Sequence, residues 1–176
     1  MKKIIVLPML LIMILTLGAC GTSTQSSSGN NGGITSNNSN SNKDKLKDSY
    51  AVGETAKYKD VEMTVTKVNK SNGTEYDKPK DGMEFVIVTV KIKNNSSKNL
   101  AYNPFYFKMK NSKGQIEDGT FSMVNQDTAL KSGELAQGGE VEGTVIFEEP
   151  VGDNSLMLQY QDNVFIDNSK LQFKIS

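Results

Sequence analysis

The chain has 176 residues, enough for one ordinary domain plus extensions. Its 20 basic residues, all lysine, balance 20 acidic ones, so formal charge is zero and no electrostatic footprint for DNA or RNA exists. Histidine and arginine are absent and cysteine occurs once, which removes the commonest general base, the bidentate phosphate fork, any intrachain disulfide and any zinc site.

Met1, Lys2 and Lys3 precede a run of 14 residues, Ile4 to Leu17, that is apolar throughout apart from Thr16. As a helix this run would span about 21 Å, short of the roughly 30 Å hydrocarbon core of a bilayer, so it reads as an export signal rather than a permanent span. Leu17, Gly18, Ala19 and Cys20 follow, an aliphatic residue, two small ones and the sole cysteine. This order resembles the box of bacterial lipoprotein precursors. The resemblance implies a signal peptide over residues 1–19 and cleavage before Cys20. It also implies a diacylglyceryl thioether on the Cys20 thiol and palmitate-type acylation. The mature protein would be held at the extracytoplasmic face of the cell membrane, because two acyl chains are what stable anchoring requires.

From Gly21 to Asn42 there are seven serines, six asparagines, four glycines and three threonines, with only Gln25 and Ile34 besides. Such a segment cannot bury enough apolar surface to offset its ordering entropy, and residues 20–49 are expected to form a disordered tether. A coil of that length reaches roughly 30 Å. The charged piece from Lys43 to Ser49 reads equally as tether or as a frayed turn.

Residues 50–176 carry the strand period. Val61, Met63 and Val65 alternate with polar neighbours. In MEFVIVTVKIKN, Val86, Val88, Val90 and Ile92 share one face while Phe85 and Ile87 precede Thr89, Lys91 and Lys93 on the other. One end of this strand is therefore covered on both sides, as in the centre of a sandwich. A turn over residues 111–114 closes a hairpin after Phe107 and Met109. Residues 121–135 read as a connection with room for a helical turn. Val141, Val145 and Phe147 form a further strand face, with Gly143 as a bulge or close-packing point and Pro150 at its end. Leu156, Leu158 and Tyr160, then Leu171, Phe173 and Ile175, supply the last strands. With one near residues 51–58, seven or eight short strands predict an all-β, immunoglobulin-like antiparallel sandwich.

The succession VGETAKY, MEFVIVTVKIKNNSS, FYFKMKNSKG and LKSGELAQGGEVEGTVIFEEP resembles the immunoglobulin-like domain of unknown function common in lipoproteins of Gram-positive bacteria. That domain is similar in fold to the immunoprotective antigen secreted by mycobacteria. The resemblance covers nearly all of residues 50–176. It implies a sandwich outside the cytoplasm and carries over no catalytic residue.

Candidate sites are few. The cluster YNPFYF places four aromatics in six residues. Phe105 and Phe107 read as core partners on one strand face, leaving Tyr102 and Tyr106 as an exposed binding pair. The long polar loop of residues 69–82 presents Tyr76, and long loops on rigid sandwiches often bind. Asp153 and Asn154, Asp162 and Asn163, and Asp167 and Asn168 are hard oxygen donors, but they miss the pattern of the twelve-residue calcium loop and turn chemistry explains them. No metal and no cofactor is assigned. Glu148 and Glu149 should point to opposite faces of a strand, the wrong geometry for a catalytic carboxylate pair. Neither a nucleophile elbow nor a phosphate-cradling loop is present. The expectation is a monomeric, non-enzymatic binding module. Its partners would be the membrane, through the lipid, and an envelope protein or wall polymer. The alternatives are a histidine-independent envelope enzyme or an accessory component of an envelope transport system.

Overall fold

The computed structural model describes residues 46–165 and 168–176. The expected signal peptide, Cys20 and all of the tether before Leu46 lie outside the described residues. Strands and the turns between them make up almost all of what is described.

Among the described residues ten strands run in chain order: β1 (Thr55–Tyr58), β2 (Val61–Ser71), β3 (Met83–Asn94), β4 (Leu100–Tyr102), β5 (Phe107–Lys110), β6 (Ile116–Asp118), β7 (Gly133–Leu135), β8 (Glu140–Pro150), β9 (Met157–Tyr160) and β10 (Leu171–Lys174). They form two antiparallel four-stranded sheets, ordered β1-β2-β3-β8 and β10-β9-β5-β6, with β4 and β7 as a separate pair. Strands β2, β3 and β8 take the places of A, B and E in the immunoglobulin arrangement, and β5, β6, β9 and β10 those of C, C′, F and G. The count exceeds the expected seven or eight because the short β4, β6 and β7 carry little hydrophobic alternation; β6 is exposed throughout.

β3 is central, flanked by β2 and β8 along most of its length. Its Val86, Val88, Val90 and Ile92 face Phe107 and Met109 of β5, Leu158 of β9 and Phe173 of β10 in one core. Phe85 and Ile87 point the other way, into a small cluster with Ile146 and the partly buried Val124. Both faces of the first half of β3 are thus covered, as its sequence predicts.

β2 keeps its odd-numbered residues inward as far as Val65. A register shift between Val65 and Lys67 then leaves Thr66 as an extra residue. After this bulge the parity reverses, so Val68 packs on the core opposite Val88, and Lys70 continues on the same face. At the chain's entry Tyr50 pairs in parallel with Phe173 of one sheet, and the chain then crosses to the other sheet as β1. Lys47 is tied back to this point: its backbone N–H donates to the Tyr50 hydroxyl and its ammonium pairs with Glu54.

β8 is an edge strand, and edges left bare invite association with other chains. Here residues 119–130 wrap it. Thr120 N–H donates to Ile146 O at 2.8 Å and Leu130 N–H to Thr144 O at 2.9 Å. Between these two points the segment leaves the edge as a pair of 3₁₀ turns over Met123–Thr128, kinked at Asn125 and capped by the Ser122 hydroxyl. Leu130 enters the core over Gly143, where an added Cβ would lie 2.8 Å from the Leu130 Cα. Gly143 is therefore a close-packing point and not a bulge, since the β3–β8 register runs through it unbroken.

Candidate functional site

The aromatic cluster is divided by a turn that its sequence contains but that strand alternation does not reveal. Asn103 accepts the Phe105 N–H at 2.9 Å, and Pro104 starts a single 3₁₀ turn over Pro104–Tyr106. The turn breaks the period-two relation, so Phe107 is buried while Phe105 is 49% exposed. The expected burial of Phe105 is corrected accordingly. Tyr102 and Tyr106, expected to be exposed, are instead partly buried against the core. Tyr106 meets Tyr160 edge-on at 6.3 Å between ring centroids, and Tyr102 lies over Gly133, where an added Cβ would be 2.6 Å from its hydroxyl. Their rings serve packing.

Tyr76 is 83% exposed, at the tip of the β2–β3 loop. Gly73 has φ +83°, and an added Cβ would clash with the Asp77 carbonyl. Thr74 closes a turn by donating its N–H to Asp77 O at 2.7 Å, while its hydroxyl accepts the Asp77 N–H. Asp77 then reaches across to the β8 wrap, where its carboxylate accepts the Ser122 hydroxyl at 2.6 Å and the Met123 N–H at 2.5 Å. These donors hold the Asp77 carboxyl below the usual carboxylate range, the Ser122 hydroxyl contributing most. Lys80 closes the loop's other side onto Glu148, whose carboxyl is also lowered, chiefly by the Lys80 backbone N–H.

The clamp brings Tyr76 alongside Phe121, which is 84% exposed, and Met123, which is 60% exposed. Phe121 in turn meets Phe105 edge-on, 6.2 Å between centroids at 74°. Four apolar side chains from three segments thus form one exposed ledge at the end of the sandwich where β2 turns into β3. Beneath it lies a cavity of about 90 Å³ lined by Phe105, Phe121, Leu130, Val145 and Ile146, with Asn125 and Thr144 at one wall. Asn125 donates its side-chain amide to the Thr144 hydroxyl, so this wall is internally satisfied. The arrangement suits burial of an apolar or aromatic group. Sequence reasoning found Tyr76 but missed Phe121 and Met123. The signal for them is faint: two large apolar residues in the polar stretch EDGTFSMVNQD, with no period to place them.

Of the oxygen donors in the last loops, Asp167 lies outside the described residues, and Asp153, Asp162 and Asn163 are engaged by other protein groups. Asp153 accepts the Ser112 hydroxyl and N–H and the Ser155 N–H. Asp162 faces Lys59, and Asn163 caps the Phe165 N–H. Among the described residues no group of three or more acidic side chains is placed to hold a metal ion. Glu148 and Glu149 do point to opposite faces: Glu148 meets Lys80 and Glu149 is buried.

A wrapped immunoglobulin-like sandwich with an aromatic ledge is the class these features define. Residues 50–171 match the family model described as Domain of unknown function (DUF4352), and the chain belongs to that family. Its fold is similar to that of the yjhA protein from Bacillus subtilis, with 21% identity and a TM-score of 0.56 over 72% of this chain and 99% of that one. It is also similar to a putative lipoprotein (ycdA) from Bacillus subtilis, at 19% identity and a TM-score of 0.54. That match covers 66% of this chain but only 36% of ycdA. At such identities the likeness is one of fold. No curated protein matches the sequence at a significant level.

Proposed function

We propose that this protein is a lipoprotein, anchored through Cys20 on the outer face of the cell membrane. There it displays a non-enzymatic binding module whose contact surface is the ledge of Tyr76, Phe105, Phe121 and Met123. The observation that carries the binding reading is the convergence of these exposed side chains over an apolar cavity, held in place by the Asp77 clamp. Large aromatic side chains contribute contact area at low entropic cost and are enriched where binding energy concentrates. The lipid anchor rests on the Leu17–Cys20 box behind a charged and apolar leader, and the putative lipoprotein ycdA, among the proteins of similar fold, is consistent with it. The partner is an envelope protein or wall polymer presenting an apolar or aromatic group, and the module acts as a monomer.

One experiment tests both halves. Cells expressing the full chain are fed a labelled fatty acid, crosslinked intact, and the protein is recovered. The parent should carry label and crosslinked partner, Cys20→Ser should lose label, and Tyr76→Ala with Phe121→Ala should keep label and lose partner. Label on Cys20→Ser refutes the anchor, and undiminished capture by the double variant refutes the ledge.

A further inference from the structure

Large apolar side chains stand in water at both ends of the sandwich. Tyr76 does so at the tip of the β2–β3 loop. At the opposite end, where the chain leaves β9 for β10, Val164 is 40% exposed and Phe165 91% exposed. Neither belongs to a core cluster. The chain leading to them is nevertheless moored. Gln161 donates its N–H to Tyr106 O at 2.9 Å. The Asp162 carboxylate accepts the Lys59 ammonium at 3.3 Å and the Tyr58 hydroxyl at 3.4 Å, both from the turn between β1 and β2. Asn163 then accepts the Phe165 N–H on its side chain at 2.8 Å. An aromatic ring is thus held outward on a turn whose own backbone donor is already satisfied, a form suited to the boundary between lipid headgroups and acyl chains.

The chain enters the domain from the same end. Tyr50 donates its N–H to Gln172 O and accepts the Lys174 N–H on its carbonyl, a parallel pairing with Phe173. The chain therefore reaches Tyr50 travelling in the direction of β10, from the end at which β9 gives way to β10. Taken as a coil from its composition, the segment between Cys20 and Tyr50 reaches roughly 30 Å. Two apolar side chains are too few to hold a free domain on a bilayer. A tether of that reach, however, keeps them beside the surface at an effective concentration on the order of millimolar, so a weak contact becomes persistent.

We infer that Val164 and Phe165 form a second membrane contact: with Cys20 acylated, this end of the domain seats on the phospholipid surface, the Phe165 ring enters the headgroup–acyl boundary, and Tyr76 is turned away from the bilayer. The contact rests on the lipid anchor proposed above and adds an orientation to it, with the ledge loop presented outward.

The test uses the full lipidated chain, purified from cells and reconstituted into vesicles of phosphatidylcholine and phosphatidylglycerol. The protein has no tryptophan, so Phe165→Trp and Tyr76→Trp each carry a single emitter. Flotation with the vesicles reads the anchor, and quenching by lipids brominated near the headgroup end of the acyl chains reads the contact. Phe165→Trp should be quenched about twofold or more and Tyr76→Trp left unquenched. Adding Val164→Asp to Phe165→Trp should abolish the quenching while flotation persists. A chain that does not float overturns anchor and contact together. A chain that floats with position 165 unquenched, with both emitters quenched alike, or with quenching indifferent to Val164→Asp overturns the contact alone.

Discussion

Alternate residues of β3 build two apolar faces that are closed in different ways. Val86, Val88, Val90 and Ile92 are sealed by an entire second sheet. Phe85 and Ile87, on the opposite face, form a small cluster with Ile146 and the Val124 side chain of the β8 wrap. The first closure is strand on strand and leaves nothing over. The second is a loop lying on a strip of sheet, and the loop's remaining apolar residues, Phe121 and Met123, stay in water beside Tyr76. A core face explains itself by stability, whereas an exposed ledge left by a roof invites a partner.

The largest expected effect sets the two faces against each other at adjacent positions. Val88→Asp places an unpaired charge where both neighbouring strands and the second sheet exclude water. That costs several kcal/mol against a total stability of roughly 5–15, so the cooperative unfolding transition should vanish. Ile87→Asp, one residue away, can expel its roof, and should retain a cooperative transition at lower temperature while the 119–130 segment becomes protease-sensitive. Thermal melts followed by circular dichroism and limited proteolysis decide between them. Equal loss of folding in both would mean that the roof is part of the core.

Gly143→Ala should act at the hinge between the faces, where Leu130 turns inward over β8. The added methyl meets backbone atoms of Leu130, which cannot swing aside as a side-chain tip would. The expected cost is about 1–3 kcal/mol, typical of overpacking, with loss of protection at the Leu130 amide. An unchanged melt would show that the wrap is loosely seated.

The strand faces were legible because alternation over five or more residues survives in β3 and β8, and Pro150 marks an edge position that needs no donor. Where period two breaks, legibility ends. The spacing of Val65 and Val68 by three residues is the written trace of the β2 bulge, and Asn103-Pro104 is that of the turn that exposes Phe105. Each overrules the alternation on either side of it. The burial of Tyr102 and Tyr106 followed from neighbours distant in sequence, Gly133 and Tyr160, and no local pattern encodes those. The Asp77–Ser122 clamp joins residues 45 apart, and without it the polar loop and the lone Phe121 read as unrelated pieces. The clamp, more than either aromatic, makes the candidate site.

The smallest expected effect is the most informative about that site. Phe121→Ala removes a ring that is 84% exposed, meets Phe105 edge-on and borders the small cavity beneath the ledge. An exposed aromatic pair contributes about 0.5–1.5 kcal/mol at most, and surface changes away from caps and cores usually stay within about 0.5. The variant should therefore melt within about 1 kcal/mol of the parent in a two-state analysis, with the Ser122 and Met123 contacts to Asp77 intact. A loss of several kcal/mol would place Phe121 in the roof's own packing and make the ledge a structural feature. Near-neutral stability would leave a large apolar ring kept in water without benefit to the fold, which is what a contact surface requires.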